Sequence, residues 1–412
     1  MDNKTVLYIS YDGMTDNLGQ SQVIPYLAGL AKLGFEITIL SFEKKQNFIE
    51  NKEKITKLLS DNSIAWNPLP YTSKPPVLST LWDIWNMHKT AKKLCIEKNI
   101  QIVHCRSYIS AIVGLKLKTK LGTKFVFDMR GFWADERVEG NIWNLKNPIF
   151  KTVYNYFKRQ EIKFLNMSDY SISLTEAGKN YIMSRKEIRS DIKIEVIPCC
   201  ADLNHFNYHT VNEDIKEKTR LHFGFDLGND IYTYLGSIGT WYLLNEMLDL
   251  YSEIHKTNTK ARFLFLTADN ASEIFEKAEA KDISKEYIRI HKAQRAELPA
   301  LLSISKASVF FIKPSFSKTA SSPTKMGELM GMGIPLICNS NVGDVSLIME
   351  DTKAGIIVHD FSKSNLQNIS LKCKDLEALS KEDIRNGAIK WYSLDEGVLK
   401  YKNVYDSLMK SM

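Results

Sequence analysis

The sequence predicts an α/β protein built as two doubly wound domains. The chain has 412 residues, more than one hydrophobic core usually serves. Short apolar runs alternate with helix-patterned stretches along its length, the signature of parallel sheets with helices on both faces. The third observation is residues 321–344, SSPTKMGELMGMGIPLICNSNVGD, which follow the apolar run 307–312 (ASVFFI). There Ser322 offers an N-cap oxygen, Pro323 suits the first helical position, 324–332 would be the helix, and Gly333 stops it. Residues 335–339 (PLICN) then resume as a strand. A helix opening at the C-terminal end of a strand lies where open parallel sheets bind ligands, and its free N–H groups favour phosphate. Lys325 adds a cation in the first turn. Glu328, close behind it, offers a carboxylate to the hydroxyls of a sugar diol.

Composition sets the outer bounds. Hydrophobic residues make up 44% and charged residues 25%, as in soluble globular proteins. No apolar run reaches the length of a membrane-spanning helix. The opening MDNKTVLYIS enters a strand at once, without a signal-peptide layout. Six cysteines show neither CxxC nor zinc spacing, so free thiols in a reducing cytosol are expected. The net charge of +7 suits an anionic substrate or an anionic membrane surface and does not call for nucleic acid.

In chain order, residues 6–10 form a strand, 11–20 a loop holding Gly13 and Gly19, 23–33 a helix ended by Gly34, and 36–42 a strand. GxGxxG is absent, which argues against a nicotinamide site. Residues 51–59 read as a polar helix, 66–76 as Pro-rich and irregular, and 78–98 as a long amphipathic helix. A strand begins at 102–104, a helix covers 110–117, and the strand 124–128 leads into a loop, 129–140 (MRGFWADERVEG). Strands at 170–174 and 193–198 complete an N-terminal domain, 1–198. The second domain, 199–390, has strands near 231, 262–267, 287–290 and 307–312. Residues 391–412 form a terminal helix with Tyr401, Val404, Tyr405 and Leu408 on one face.

The segment SPTKMGELMGMGIPLI resembles the donor-binding segment of family 4 of the nucleotide-sugar glycosyltransferases. That resemblance implies the GT-B fold, in which two Rossmann-like domains face each other across a cleft and the terminal helix returns to the N-terminal domain. It implies an N-terminal acceptor-binding domain and a C-terminal donor-binding domain. It implies that Glu328 holds the ribose, that Ser322, Thr324 and Lys325 at the helix N-terminus face the diphosphate, and that residues 291–293 (His291, Lys292, Ala293) meet the base. The loop with Gly13 and Gly19 would border the acceptor and the donor phosphates, and 199–206 (CCADLNHF) would be the connector between domains, matching at Asp202 and Phe206.

Two departures stand out. The family's Arg and Lys after the first strand of the second domain are replaced by Ser237 and Tyr242, and the first of its two glutamates by Ala320. The diphosphate charge must then be met by Lys325, Lys313 or Arg130, or by backbone N–H groups at Gly239 and Thr240. Ser315, Ser317, Thr319 and Ser321 are the alternatives to the missing glutamate. In the loop after residue 128, Arg130 stands where many members carry a histidine. Arginine cannot serve as a base near neutrality, which leaves Asp128, Asp135 or Glu136, and Arg130 from the N-terminal domain would reach the phosphates only when the cleft closes. His104 and Arg106 follow a strand end and are candidates for the acceptor side.

The expected activity is therefore transfer of a hexosyl-type sugar from a nucleoside-diphosphate sugar to an acceptor hydroxyl, with retention, without metal or other cofactor. The acceptor expected from the resemblance is a lipid-linked glycan of surface polysaccharide or lipopolysaccharide assembly. Lys89, Lys92, Lys93, Lys98, Lys116, Lys118, Lys120 and Lys124, interleaved with Trp82 and Trp85, suggest a peripheral contact with anionic lipid at the inner face of the membrane. The rivals are a non-hydrolysing nucleotide-sugar epimerase and a non-catalytic nucleotide-sugar-binding protein.

Overall fold

The computed structural model describes residues 4–410. The chain forms two compact units: one runs to Pro198 and resumes from Leu394, the other is Cys199–Ser393. The connector CCADLNHF thus opens the second unit.

Unit 1 holds a parallel sheet of seven strands: β1 (Thr5–Ser10), β2 (Glu36–Glu43), β3 (Ala65–Pro70), β4 (Ile102–Arg106), β5 (Lys124–Asp128), β6 (Tyr170–Ser173) and β7 (Ile194–Val196), in the order β3-β2-β1-β4-β5-β6-β7. Residues of β1, β4 and β5 are almost wholly buried, as strands covered on both faces must be. The order reverses between β1 and β4, where the crevice of an open parallel sheet opens. Register brings Ser10 beside Arg106 and Arg106 beside Asp128, so the strand ends at that crevice form one row.

Unit 2 holds six parallel strands: β8 (Asp230–Leu235), β9 (Ala261–Leu266), β10 (Ile288–His291), β11 (Ala307–Phe310), β12 (Leu336–Asn339) and β13 (Gly355–Val358), in the order β10-β9-β8-β11-β12-β13. Its reversal lies between β8 and β11. The loop after β8 is laced to the chain leaving β11 by Leu243 N–H to the Phe311 carbonyl at 3.0 Å and Lys313 N–H to the Trp241 carbonyl at 2.9 Å.

Several sequence expectations need correction. The irregular 66–76 segment begins as strand β3, which lies at the sheet's edge, where Pro68 and Pro70 cost no central ladder bond. Gly19 sits in a short helix, Asn17–Gln22, not in a loop. The polar helix is Lys45–Asp61, and the helix after β4 starts at Ser107 and runs to Leu121. Residues 129–140 are not all loop, because Trp133–Glu139 is helical. The terminal helix is Leu394–Met409; Trp391 and Tyr392 close the helix before it, Lys381–Tyr392. Ser411 and Met412, included in the expected terminal helix, lie outside the described residues. The terminal helix packs within unit 1: a Cβ on Gly29 would meet the Val398 side chain at 2.6 Å, and the Tyr26 and Tyr401 rings meet edge-on at 5.5 Å.

Candidate functional site

Several of the candidate residues lie at the two crevices, one in each unit, while His291 sits at the end of edge strand β10 and Asp135 pairs elsewhere. In unit 2 the helix Thr324–Gly331 follows β11 and opens at the β8–β11 crevice. Its N-cap position is Pro323, and its first turn has no side-chain cap, which leaves N–H donors aimed outward. Ser322 is not the cap, since its hydroxyl accepts from Cys199 N–H at 3.1 Å.

Lys325 points inward and is 7% exposed. Its ammonium lies 3.8 Å from the centre of the Tyr242 ring and 4.4 Å from that of Tyr234, and it donates to the Tyr234 hydroxyl at 3.2 Å. Gly236, at φ +113°, makes room: a Cβ there would stand 3.0 Å from the Lys325 ammonium. Aromatic faces attract a cation, yet burial dominates and drives the Lys325 amine down to about 7, with Glu328 opposing weakly. Tyr242 is thus one wall of the cage around Lys325.

Glu328 lies one helical turn on. Burial lifts its carboxyl to about 6, against the pull of Arg295 at 3.4 Å and then of Lys325. Arg295, two residues beyond the segment 291–293, is the side chain that reaches Glu328. His291 ends edge strand β10, with Nε2 3.9 Å from Glu297, and Lys292 is exposed. Thr324 is half-buried at the helix start; Gly239, Thr240 and Lys313 are exposed in the two loops laced together beside the crevice. Lys318, which sequence reasoning passed over, is buried with its ammonium 3.8 Å from the Trp241 ring centre.

In unit 1 the glycine loop is held by Glu43, which no motif flagged. Its buried carboxylate accepts from the N–H groups of Met14 (2.8 Å) and Thr15 (3.0 Å) and from the hydroxyls of Ser41 and Thr15. Gly13 is required because a Cβ would come 2.7 Å from that carboxylate, and Gly19 because a Cβ would come 2.2 Å from the Gly13 carbonyl. Close packing accounts for both glycines.

Beside that loop a charged group is buried at the strand ends. Asp128 Oδ2 accepts from the Tyr401 hydroxyl at 3.1 Å and lies 3.5 Å from His104 Nε2; its Oδ1 is 3.9 Å from Arg130 Nη1. Burial pushes Asp128 up, but Arg130 foremost and then His104 overcome it and hold the carboxyl below its usual range. Burial lowers His104, against Asp128, and its Nδ1 lies 2.6 Å from the Tyr405 hydroxyl. Arg106 reaches Asp12 at 3.3 Å. Asp135 is not part of this group. It accepts from Tyr154 at 2.9 Å and pairs with Lys158 at 2.7 Å. Glu136 is half-buried on the same short helix. Tyr401 and Tyr405 were visible in sequence only as an apolar face.

Among the described residues no group of His, Cys, Asp or Glu is arranged to hold a metal ion, and no helix is long and apolar enough to cross a membrane.

Residues 19–205 match the family described as Glycosyltransferase Family 4. The matched span ends before residues 321–344, so the two likenesses rest on different parts of the chain. No curated protein matches the sequence. Among solved structures, a glycosyltransferase from Rickettsia africae is similar over 100% of both chains, with a TM-score of 0.74 at 18% identity. Anabaena Alr3699/HepE in complex with UDP-glucose gives 0.70 at 13% identity, covering 98% of this chain and 99% of that one. A Listeria monocytogenes protein named as a UDP-N-acetylglucosamine 2-epimerase gives 0.60 at 15%, covering 100% and 98%. These likenesses show a fold, and it is the GT-B fold: two doubly wound, parallel α/β units in one chain.

Proposed function

We propose that the protein is a glycosyltransferase that moves a sugar from a nucleoside-diphosphate sugar to an acceptor hydroxyl, with retention and without a metal ion. The observation that carries this reading is the Lys325–Glu328 pair at an uncapped helix N-terminus beside the Gly236 turn. A diphosphate placed there meets N–H donors and a buried ammonium, and the ribose diol donates to the Glu328 carboxylate. Leaving-group charge is thus opposed by groups already in place. Unit 1 binds the acceptor. The UDP-glucose held by the Anabaena protein supports a donor of this class.

Thermal-shift screening of a nucleotide-sugar panel, followed by product analysis with the donor found, tests the proposal. Glu328→Gln should weaken binding of that donor by about 1–3 kcal/mol, the value of a hydrogen bond to a charged group. Transfer should persist in EDTA. Unchanged donor affinity in the variant removes the ribose assignment, and loss of turnover that magnesium restores removes the metal-free one. Epimerised donor without transfer would favour the epimerase.

We further propose that the acceptor is lipid-linked and that the long helix Leu78–Glu97 rests on anionic lipid. Leu78, Leu81, Trp82 and Trp85 are each more than half exposed, with the two indoles stacked at 5.1 Å. The Lys89 ammonium lies 5.4 Å from the centre of the Trp85 ring, a cation beside this face. Apolar side chains with lysines are suited to a negatively charged interface. The protein should float with phosphatidylglycerol vesicles and not with phosphatidylcholine vesicles, and Trp82→Ala with Trp85→Ala should abolish this. Flotation unchanged by the double substitution would move the contact elsewhere.

A further inference from the structure

At the β1–β4 crevice of unit 1, two guanidinium groups are buried close together. Arg106 is 4% exposed, and its Nη1 has no hydrogen-bond partner. Its carboxylate neighbour, Asp12, is half in water, where its charge is screened. Arg130, on the end of the adjacent strand, has Asp128 3.9 Å away, and that carboxylate is shared with His104. Burial and Arg130 oppose the charge on Arg106, but Tyr8, Asp12 and Asp128 outweigh them and hold the guanidinium protonated above its usual range.

The backbone around them is also unusual. Ser107, directly after Arg106, has φ +65°, and Arg130 has φ +55°. Two non-glycine residues in the left-handed region on neighbouring strand ends mark a site held in place by its surroundings. The fifteen-residue helix Ser107–Leu121 starts there, with no side-chain cap. An arginine fork, an unpartnered N–H and a helix N-terminus together fit a tetrahedral oxyanion.

We propose that this crevice binds a phosphate group carried by the acceptor, with Arg106 as its principal contact. The proposal rests on the reading that unit 1 holds the acceptor. It narrows that acceptor to a phosphorylated one, either a free sugar phosphate or a sugar carried on a lipid phosphate, which present the same group.

The test is calorimetric titration of the full-length protein with inorganic phosphate, in a Lys325→Met background that removes the unit 2 cation. Arg106→Gln should bind phosphate at least tenfold more weakly. Asp12→Asn, a change at an exposed side chain, releases Arg106 from its carboxylate and should bind about three- to tenfold more tightly. Equal affinity in the parent and in Asp12→Asn overturns the proposal, even if Arg106→Gln fails to fold. Displacement by glucose 1-phosphate assigns the free sugar phosphate, and displacement only by a polyprenyl phosphate in detergent assigns the lipid. Displacement by neither overturns the acceptor assignment. The titration needs no donor and no turnover, so failure of sugar transfer leaves this result intact.

Discussion

Replacing Asp128 with alanine is expected to lower the stability of unit 1 by about 3–5 kcal/mol, the cost of removing one partner from a buried charged group. The carboxylate is 1% exposed and stands among Arg130, His104 and the Tyr401 hydroxyl. Without it, a buried guanidinium loses a counter-charge and a buried tyrosine its acceptor. Asp128→Asn should cost less, because an amide oxygen still accepts from Tyr401. Hydrogen exchange of β4 and β5 peptides in rising urea reads unit 1 separately from unit 2. The sign with pH follows from the direction of the shift. A carboxyl held low in the folded state contributes stability above its unfolded value near 3.8, and this is lost as pH falls through the folded value. The same depression makes Asp128 a weak base, which favours a role in holding cations. A stability loss below about 1 kcal/mol in Asp128→Ala would reopen it as a proton acceptor.

Lys325→Met should have two opposite effects. Nucleoside-diphosphate binding should weaken by about 1.5–3 kcal/mol, since an ammonium contact is lost. The ligand-free protein should become more stable, because methionine suits an aromatic cage better than a buried amine. Lys325 falls from 10.5 to about 7, so its stabilising contribution is present only above 10.5 and is lost as pH falls through about 7. Glu328 runs the other way. Raised from 4.5 to about 6, it contributes below 4.5 and loses that contribution as pH rises through about 6. Near neutrality burial disfavours the charged form of both groups, and a bound diphosphate relieves the lysine by recharging it. Donor affinity should therefore fall as pH rises above about 7, by up to roughly tenfold per unit, and this slope should vanish in Lys325→Met. Calorimetry at pH 6.5, 7.5 and 8.5 measures both effects. A parallel pH dependence in the two proteins would take the lysine out of phosphate binding.

Much of this architecture was legible because it is local. The β-α-β unit around residue 325 announces itself through Pro323, Gly333 and the apolar runs on either side, while the roles expected of Lys325 and Glu328 come from the family resemblance of the segment and not from spacing. What misled was competition for the same atoms or patterns. Ser322 looks like a cap, but its hydroxyl belongs to Cys199 N–H. Pro68 and Pro70 look like breakers, but an edge strand tolerates them. The charged run after Asp128 looks like one active loop, yet Asp135 turns away to Lys158. What was illegible is long-range. Tyr234 and Tyr242 cage a lysine more than eighty residues downstream. The His104–Tyr405 hydrogen bond joins positions 301 residues apart, and no local pattern encodes such a pairing.

That last contact bears on how the chain is made. Unit 2, Cys199–Ser393, is continuous and has all its parts once residue 393 is outside the ribosome. Unit 1 starts first and is completed last, because Tyr401 and Tyr405 arrive only after the whole of unit 2 has been synthesised. Until then Asp128 and His104 lack their tyrosine partners, and water must serve the strand ends that the terminal helix later covers. The half of the molecule whose synthesis begins first is therefore the half whose last pieces are made last, and its strand-end tyrosines arrive only after residues 199–393 have been synthesised.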